Sequence, residues 1–139
     1  MPGLLYSRFT APLNFADVAA DFPDLTIILA HAGQDSWREA LNVARIKPNI
    51  YLELSIWQYS VKYLEEFVFA IDRMRNDVGI ERILWGSDLP GTLHLMSLKE
   101  WADTFRRLPA IGEEHGLRFD DSDVSALMGG NSARILKLD

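Results

Sequence analysis

The chain has 139 residues, the size of one ordinary domain, and its 48% hydrophobic and 24% charged residues are the mix of a soluble globular protein, which excludes intrinsic disorder. A formal charge of -6 with no block of Lys or Arg speaks against nucleic acid as a partner. The absence of cysteine excludes disulfides and thiolate metal sites, and no apolar run approaches the roughly 20 residues that span a bilayer.

The first residues, Met1 to Arg8, lack the basic region and apolar core of a signal peptide, which predicts a cytoplasmic chain. Residues 1–13, with Pro2, Gly3 and Pro12, read as an irregular arm or a very short strand. Phe15, Val18, Ala19 and Phe22 then recur at helical spacing, with Asn14 as N-cap and Pro23 closing the helix.

Asp24 to Gly33 predicts the first strand. Leu25, Ile27, Ile28, Leu29 and Ala30 are nearly continuous apolar residues, the pattern of a strand buried on both faces. His31 ends it, beside the turn at Gly33. Ser36 to Arg45 reads as a helix with Trp37, Ala40, Leu41 and Ala44 inside, and Ser36 with Glu39 makes a capping-box pattern.

A second strand, Ile50 to Ile56, sends Leu52, Leu54 and Ile56 one way and Tyr51, Glu53 and Ser55 the other. That places Glu53 either at an interior mouth or on a helix side, where it bonds loops or carries chemistry. Val61 to Asp77 predicts the longest helix, ended by Gly79. Ile83, Leu84 and Trp85 give the third strand, so residues 50–87 read as strand, helix, strand with a right-handed parallel crossover.

Beyond Pro90-Gly91, Leu98, Trp101, Ala102, Phe105 and Leu108 form a helical stripe, with Lys99, Glu100, Asp103 and Arg106 outside. Residues 111–119 are less periodic. Asp121, Ser122 or Asp123 caps a short helix at Val124–Met128, Gly129-Gly130-Asn131 makes a turn, and Ser132 to Leu138 forms a last helix. The whole is one α/β unit of parallel strands with covering helices.

His31 and Asp88 stand out as a pair. Both follow apolar strands, both precede a Gly or Pro turn, and parallel strands put their ends on one rim. An imidazole nitrogen and a carboxylate oxygen suit a divalent metal, and either group can act as a general base. Asp88 has the alternative of capping the next turn. A catalytic zinc normally takes three protein ligands, and the other histidines, His94 and His115, lie on apparent loop and helix surfaces. No compact zinc motif, dinucleotide-binding glycine turn, Walker lysine or nucleophile elbow at Ser87 is present. Trp57, Tyr59 and Tyr63 read as core or lid aromatics.

Four blocks resemble the carboxyl-terminal part of the amidohydrolase-related family: residues 22–33 ending in Leu-Ala-His-Ala-Gly, residues 48–55, residues 82–90 with Trp-Gly-Ser-Asp-Leu-Pro, and residues 129–136 with Gly-Gly-Asn-Ser-Ala-Arg. Its members are metal-dependent barrel enzymes, including hydrolases, lactonases, decarboxylases and hydratases, that act mainly on carboxylated or aromatic small molecules. The resemblance implies that His31 ends the sixth barrel strand as a metal ligand or substrate-orienting group. Residues 50–55 would be the seventh strand. Asp88 would end the eighth as metal ligand and base, and Asn131 to Leu136 would be the closing helix.

It also implies a small carboxylated or cyclic substrate and a divalent cofactor, zinc or manganese, for a complete site. The family's His-x-His pair on the first strand and its histidine on the fifth have no counterpart here. A full barrel takes about 250 residues, so residues 1–139 read as a single carboxyl-terminal part of a metal-dependent hydrolase barrel, holding roughly its last three strand-helix units. Such a chain is either an incomplete piece, inactive alone, or a short protein whose open edge pairs with another copy or a separate amino-terminal half. In a non-catalytic assembly module, His31 and Asp88 would simply bond backbone groups.

Overall fold

Three short strands carry the architecture: β1 (Ile27–Leu29), β2 (Ile50–Glu53) and β3 (Ile83–Leu84). The computed structural model describes residues 9–138, and in it the strands are all parallel in the order β1, β2, β3. Ile27 pairs with Ile50 and Leu29 with Leu52, while Leu52 also pairs with Ile83 and Glu53 with Leu84. Parallel neighbours need a crossover, and helices α2 (Trp37–Ile46) and α3 (Leu64–Val78) supply the two. Successive β-α-β units of this kind make a partial (β/α) barrel, as the family resemblance implies.

The pleat sorts the strand residues. Ile27, Leu29, Ile50, Leu52, Leu54 and Ile83 join a core with Leu41 and Val43 of α2 and Phe67, Val68, Ile71 and Met74 of α3. The expected division of β2 therefore holds through Leu54. The expectation that β1 is buried on both faces does not, because Ile28 is 44% exposed between two buried neighbours. Helices of the described residues cover one face of the sheet; Ile28 and Tyr51, paired in register, occupy the other, the side that lies inside a closed barrel.

Helix α1 (Phe15–Asp21) forms where expected, after a short 3₁₀ turn at Pro12–Asn14. Its predicted apolar stripe packs only through Ala19, since Phe15, Val18 and Phe22 are exposed. Most of the amino-terminal arm lies outside the described residues. Asn49 ties the end of α1 to the start of β2, its Nδ2 donating to the carbonyls of Ala19, Phe22 and Leu25 at 3.2, 3.0 and 3.0 Å.

Ser36 precedes α2 without the expected capping bond: it ends an irregular turn at φ -95°, ψ 20°, away from the extended conformation that aims a capping hydroxyl at the helix amides. A capping box instead opens α4 (Leu98–Arg106), where Ser97 and Glu100 bond each other's backbone N–H. Helix α5 (Leu108–Glu114) follows with Pro109 in its first turn. Asp120, one residue before the predicted caps, opens α6 (Asp121–Ser125) by accepting from the amides of Ser122 and Asp123 at 2.8 and 2.9 Å.

The predicted Gly-Gly-Asn turn is present as a kink at Gly129, φ 149°, within residues Ala126–Gly130, after which α7 (Asn131–Leu136) begins. Buried Asn131 donates from Nδ2 to the carbonyls of Ile80 and Ile83 at 2.7 and 2.8 Å, so the closing helix holds the entrance of β3. Arg82 anchors the same end of the sheet through the carbonyls of Val78, Ala44 and Lys47, and burial pushes its guanidinium pKa down. No helix among the described residues is long and apolar enough to cross a membrane.

Candidate active site at the strand ends

After Leu29 the chain leaves β1 in an unusual way. His31, Ala32, Gly33 and Gln34 all have positive φ, at 61°, 44°, 75° and 46°, a conformation that non-glycine residues adopt only when their surroundings hold it. For His31 those surroundings are explicit. Its N–H donates to Glu53 Oε2 at 3.1 Å, its carbonyl accepts from Trp57 Nε1 at 2.7 Å, and its Nδ1 lies 2.9 Å from Ser55 Oγ. The imidazole is thus fixed at the carboxyl end of β1 and remains about one third exposed, at 35%.

The pleat of β2 turns Glu53 away from the helices, onto the same face as Tyr51. Its carboxylate accepts from Ser55 N and Ser55 Oγ, both at 2.7 Å, besides the His31 amide. Glu53 therefore binds the loop after its own strand to the loop after β1. Gly86 makes room for it: a Cβ there would sit 1.8 Å from Glu53 Oε1.

At the end of β3 the carbonyls of Gly86 and Ser87 are both held. Trp101 Nε1 donates to Gly86 O at 2.7 Å, and Gln58 Nε2 and Thr92 Oγ1 donate to Ser87 O at 2.9 and 2.6 Å. Trp101 itself is locked edge-to-face against Phe105, with centroids 4.7 Å apart. Asp88 follows with φ 53° and an exposed side chain. Among the described residues no hydrogen bond or ion pair engages its carboxylate, so the turn-capping role is not the one it takes.

Because β1 and β3 flank β2 in parallel, His31 and Asp88 both follow carboxyl ends of strands and lie on one rim of the sheet. His94 lies on the loop after β3, where its Nε2 is 3.3 Å from the Tyr59 hydroxyl, and His115 caps the end of α5. No group of three potential metal-ligating side chains exists among the described residues. Of the aromatics after β2, Trp57 is a core residue packed edge-on against Trp37, while Tyr59 and Tyr63 are exposed.

The expected loop-bonding role of Glu53 holds, while sequence reading missed that Gly86 packs against it. The signal for the first was the i, i+2 spacing of Glu53 and Ser55, which puts both on one face of a strand end. That Gly86 lies opposite follows only from the β2–β3 register.

A family model described as Amidohydrolase matches residues 5–138. The chain belongs to the amidohydrolase family. The chain also shares its fold with two crystal structures of an amidohydrolase from Burkholderia multivorans, one with bound zinc and one with bound HEPES. Each is 24% identical with a TM-score of 0.75, and the match covers 99% of this chain and 52% of the other. The uncharacterized protein y4mH of Sinorhizobium fredii is 26% identical over 142 residues, 90% of this chain and 43% of the relative. The chain thus spans about half the length of the proteins it matches.

Proposed function

We propose that this amidohydrolase contributes the His31 and Asp88 arm of a hydrolytic site for a small carboxylated or cyclic molecule. The observation that carries the reading is the exposed carboxylate of Asp88, unengaged among the described residues, on the same strand-end rim as the anchored imidazole of His31. In parallel α/β folds, chemistry collects at that rim. In this reading Asp88 accepts the proton of a water attacking a carbonyl, and His31 orients the substrate or holds a metal through its ring nitrogen.

A divalent metal, zinc by analogy with the bound ion of the solved relative, would be held by His31 and Asp88. These two donors have suitable chemistry, one imidazole nitrogen and one carboxylate oxygen, but a catalytic zinc takes three protein ligands. A further donor must therefore come from beyond the described residues. Such an ion lowers the pKa of a bound water. A decarboxylase would use the same rim, with the substrate carboxylate in place of the hydrolysed bond.

A partner fits the same picture. Phe9, Phe15, Phe22 and Ile28 are exposed apolar side chains, and the outer edge of β1 is unpaired among the described residues. We place there either the amino-terminal half of a barrel or a second copy of the chain. The second reading is a catalytically inactive fragment or a homo-oligomeric assembly module that lacks a metal site.

The test supplies zinc or manganese to the purified chain and assays a panel of lactones and carboxylated amides, with solution mass measured in parallel. Hydrolysis that falls at least tenfold in Asp88→Asn, with unchanged circular dichroism, supports the reading. Turnover indifferent to Asp88→Asn and His31→Asn refutes it.

A further inference from the structure

Glu53, Ser55 and His31 form a chain of hydrogen bonds in which every proton can be placed. Glu53 accepts three bonds, from Ser55 N, Ser55 Oγ and His31 N, as an ionised carboxylate does. The 2.7 Å contact of Ser55 Oγ with Glu53 Oε2 therefore commits the single hydroxyl proton of Ser55 to the carboxylate. Towards His31, Ser55 Oγ then has only lone pairs to offer. The ring nitrogen 2.9 Å away must be the donor.

From this geometry we infer that Glu53 and Ser55 are positioning residues that fix neutral His31 as its Nδ1–H tautomer, leaving the lone pair on Nε2. The inference deepens the function proposed for this rim and rests on it for its consequence: a lone pair on Nε2 can take a proton or bind a cation, whereas an Nε2–H cannot. Free imidazole side chains favour the opposite tautomer, so the chain of bonds acts against an intrinsic preference.

Ser55 is not a nucleophile in this arrangement. In a serine triad the histidine stands between serine and carboxylate and takes the serine proton. Here the serine stands between the other two, is only 5% exposed, and donates to the carboxylate. Gly86 is part of the device, since any side chain there would push Glu53 Oε1 aside.

Nitrogen-15 spectra of the labelled chain, recorded where the imidazoles are neutral, test the inference. His31→Asn assigns the His31 signals by their loss. His94 and His115, which lack this chain of bonds, serve as internal references. The expected spectrum has His31 Nδ1 in the N–H range and Nε2 in the lone-pair range. Nε2–H as the major form overturns the inference without recourse to any variant.

Ser55→Ala should move the tautomer ratio at least tenfold towards Nε2–H, and Ser55→Thr, which keeps the hydroxyl, should restore it. An unchanged ratio in Ser55→Ala also overturns the inference. The two proposals fail separately: an Nδ1–H spectrum alongside hydrolysis that ignores Asp88→Asn rejects the function and keeps the tautomer, and an Nε2–H spectrum alongside hydrolysis that needs Asp88 does the reverse.

Discussion

Gly86→Ala isolates the packing on which the rim depends. The added Cβ would meet Glu53 Oε1 at 1.8 Å, Glu53 Cδ at 2.8 Å and Ser55 Cβ at 3.3 Å. Gly86 does not have positive φ, so alanine costs nothing through the backbone and the effect is steric. Relief requires Glu53 to retreat by about 1 Å or more, which takes its 2.7 Å bond with Ser55 N beyond hydrogen-bonding range. It also leaves the positive-φ amide of His31 without its acceptor. Overpacking and the lost charge-assisted bonds together give a destabilisation of about 2–4 kcal/mol. Urea unfolding should show this as a lower midpoint with an unchanged slope. In a Glu53→Ala background the clash is gone and the same substitution should cost about 1 kcal/mol or less, because only the contact with Ser55 remains. A full cost in that background, or no cost in the wild type, would refute the proposed fit of Gly86 to Glu53.

Three other outcomes follow from the rest of the fold. Asn131→Ala and Asn131→Asp each remove the buried donor to Ile80 O and Ile83 O, and both should cost about 2–3 kcal/mol in urea unfolding. Ser97→Ala breaks the capping box of α4 and should cost about 1 kcal/mol, with faster amide exchange confined to the first turn of that helix. Bonds from the Ser97 hydroxyl and amide, from Lys99 and Arg106, and from the Ser122 hydroxyl and nearby amides hold Glu100, Asp103 and Asp120 below the usual carboxylate range. Folded-state pKa values that are depressed stabilise above the ordinary carboxylate range and lose that contribution as pH falls through it. Amide exchange at the starts of α4 and α6 should therefore quicken on acidification from pH 5 to pH 2; exchange that stays flat there would contradict these assignments.

The strand-helix alternation was legible because periodicity is local. Leu52 and Leu54 against Tyr51 and Glu53, or Phe67, Val68, Ile71 and Met74 in α3, announce their buried faces within a few residues. The strand-end positions of His31 and Asp88 were legible for the same reason, as the first polar groups with metal-binding chemistry after apolar runs. Where several partners compete, the pattern misled. Phe15, Val18 and Phe22 make a helical stripe that the described residues leave uncovered, and β1 looks doubly buried although helices cover one face. Ser36 and Glu39 have capping spacing, but the positive-φ turn before them denies Ser36 the needed dihedrals. Several contacts that join the loops of the site link residues 22 to 29 positions apart, such as His31 with Glu53 and Gln58 with Ser87, and depend on sheet register.

The central claim is that His31 and Asp88 address one ligand from one rim. Manganese added at low molar ratio to the labelled chain tests it most directly, because the ion broadens amide signals near wherever it binds. Signals of His31 and Asp88 should broaden together, and either His31→Ala or Asp88→Ala should abolish the effect at both positions. Broadening that reaches only one of the two residues, or only acidic clusters on the helices, would contradict the shared site.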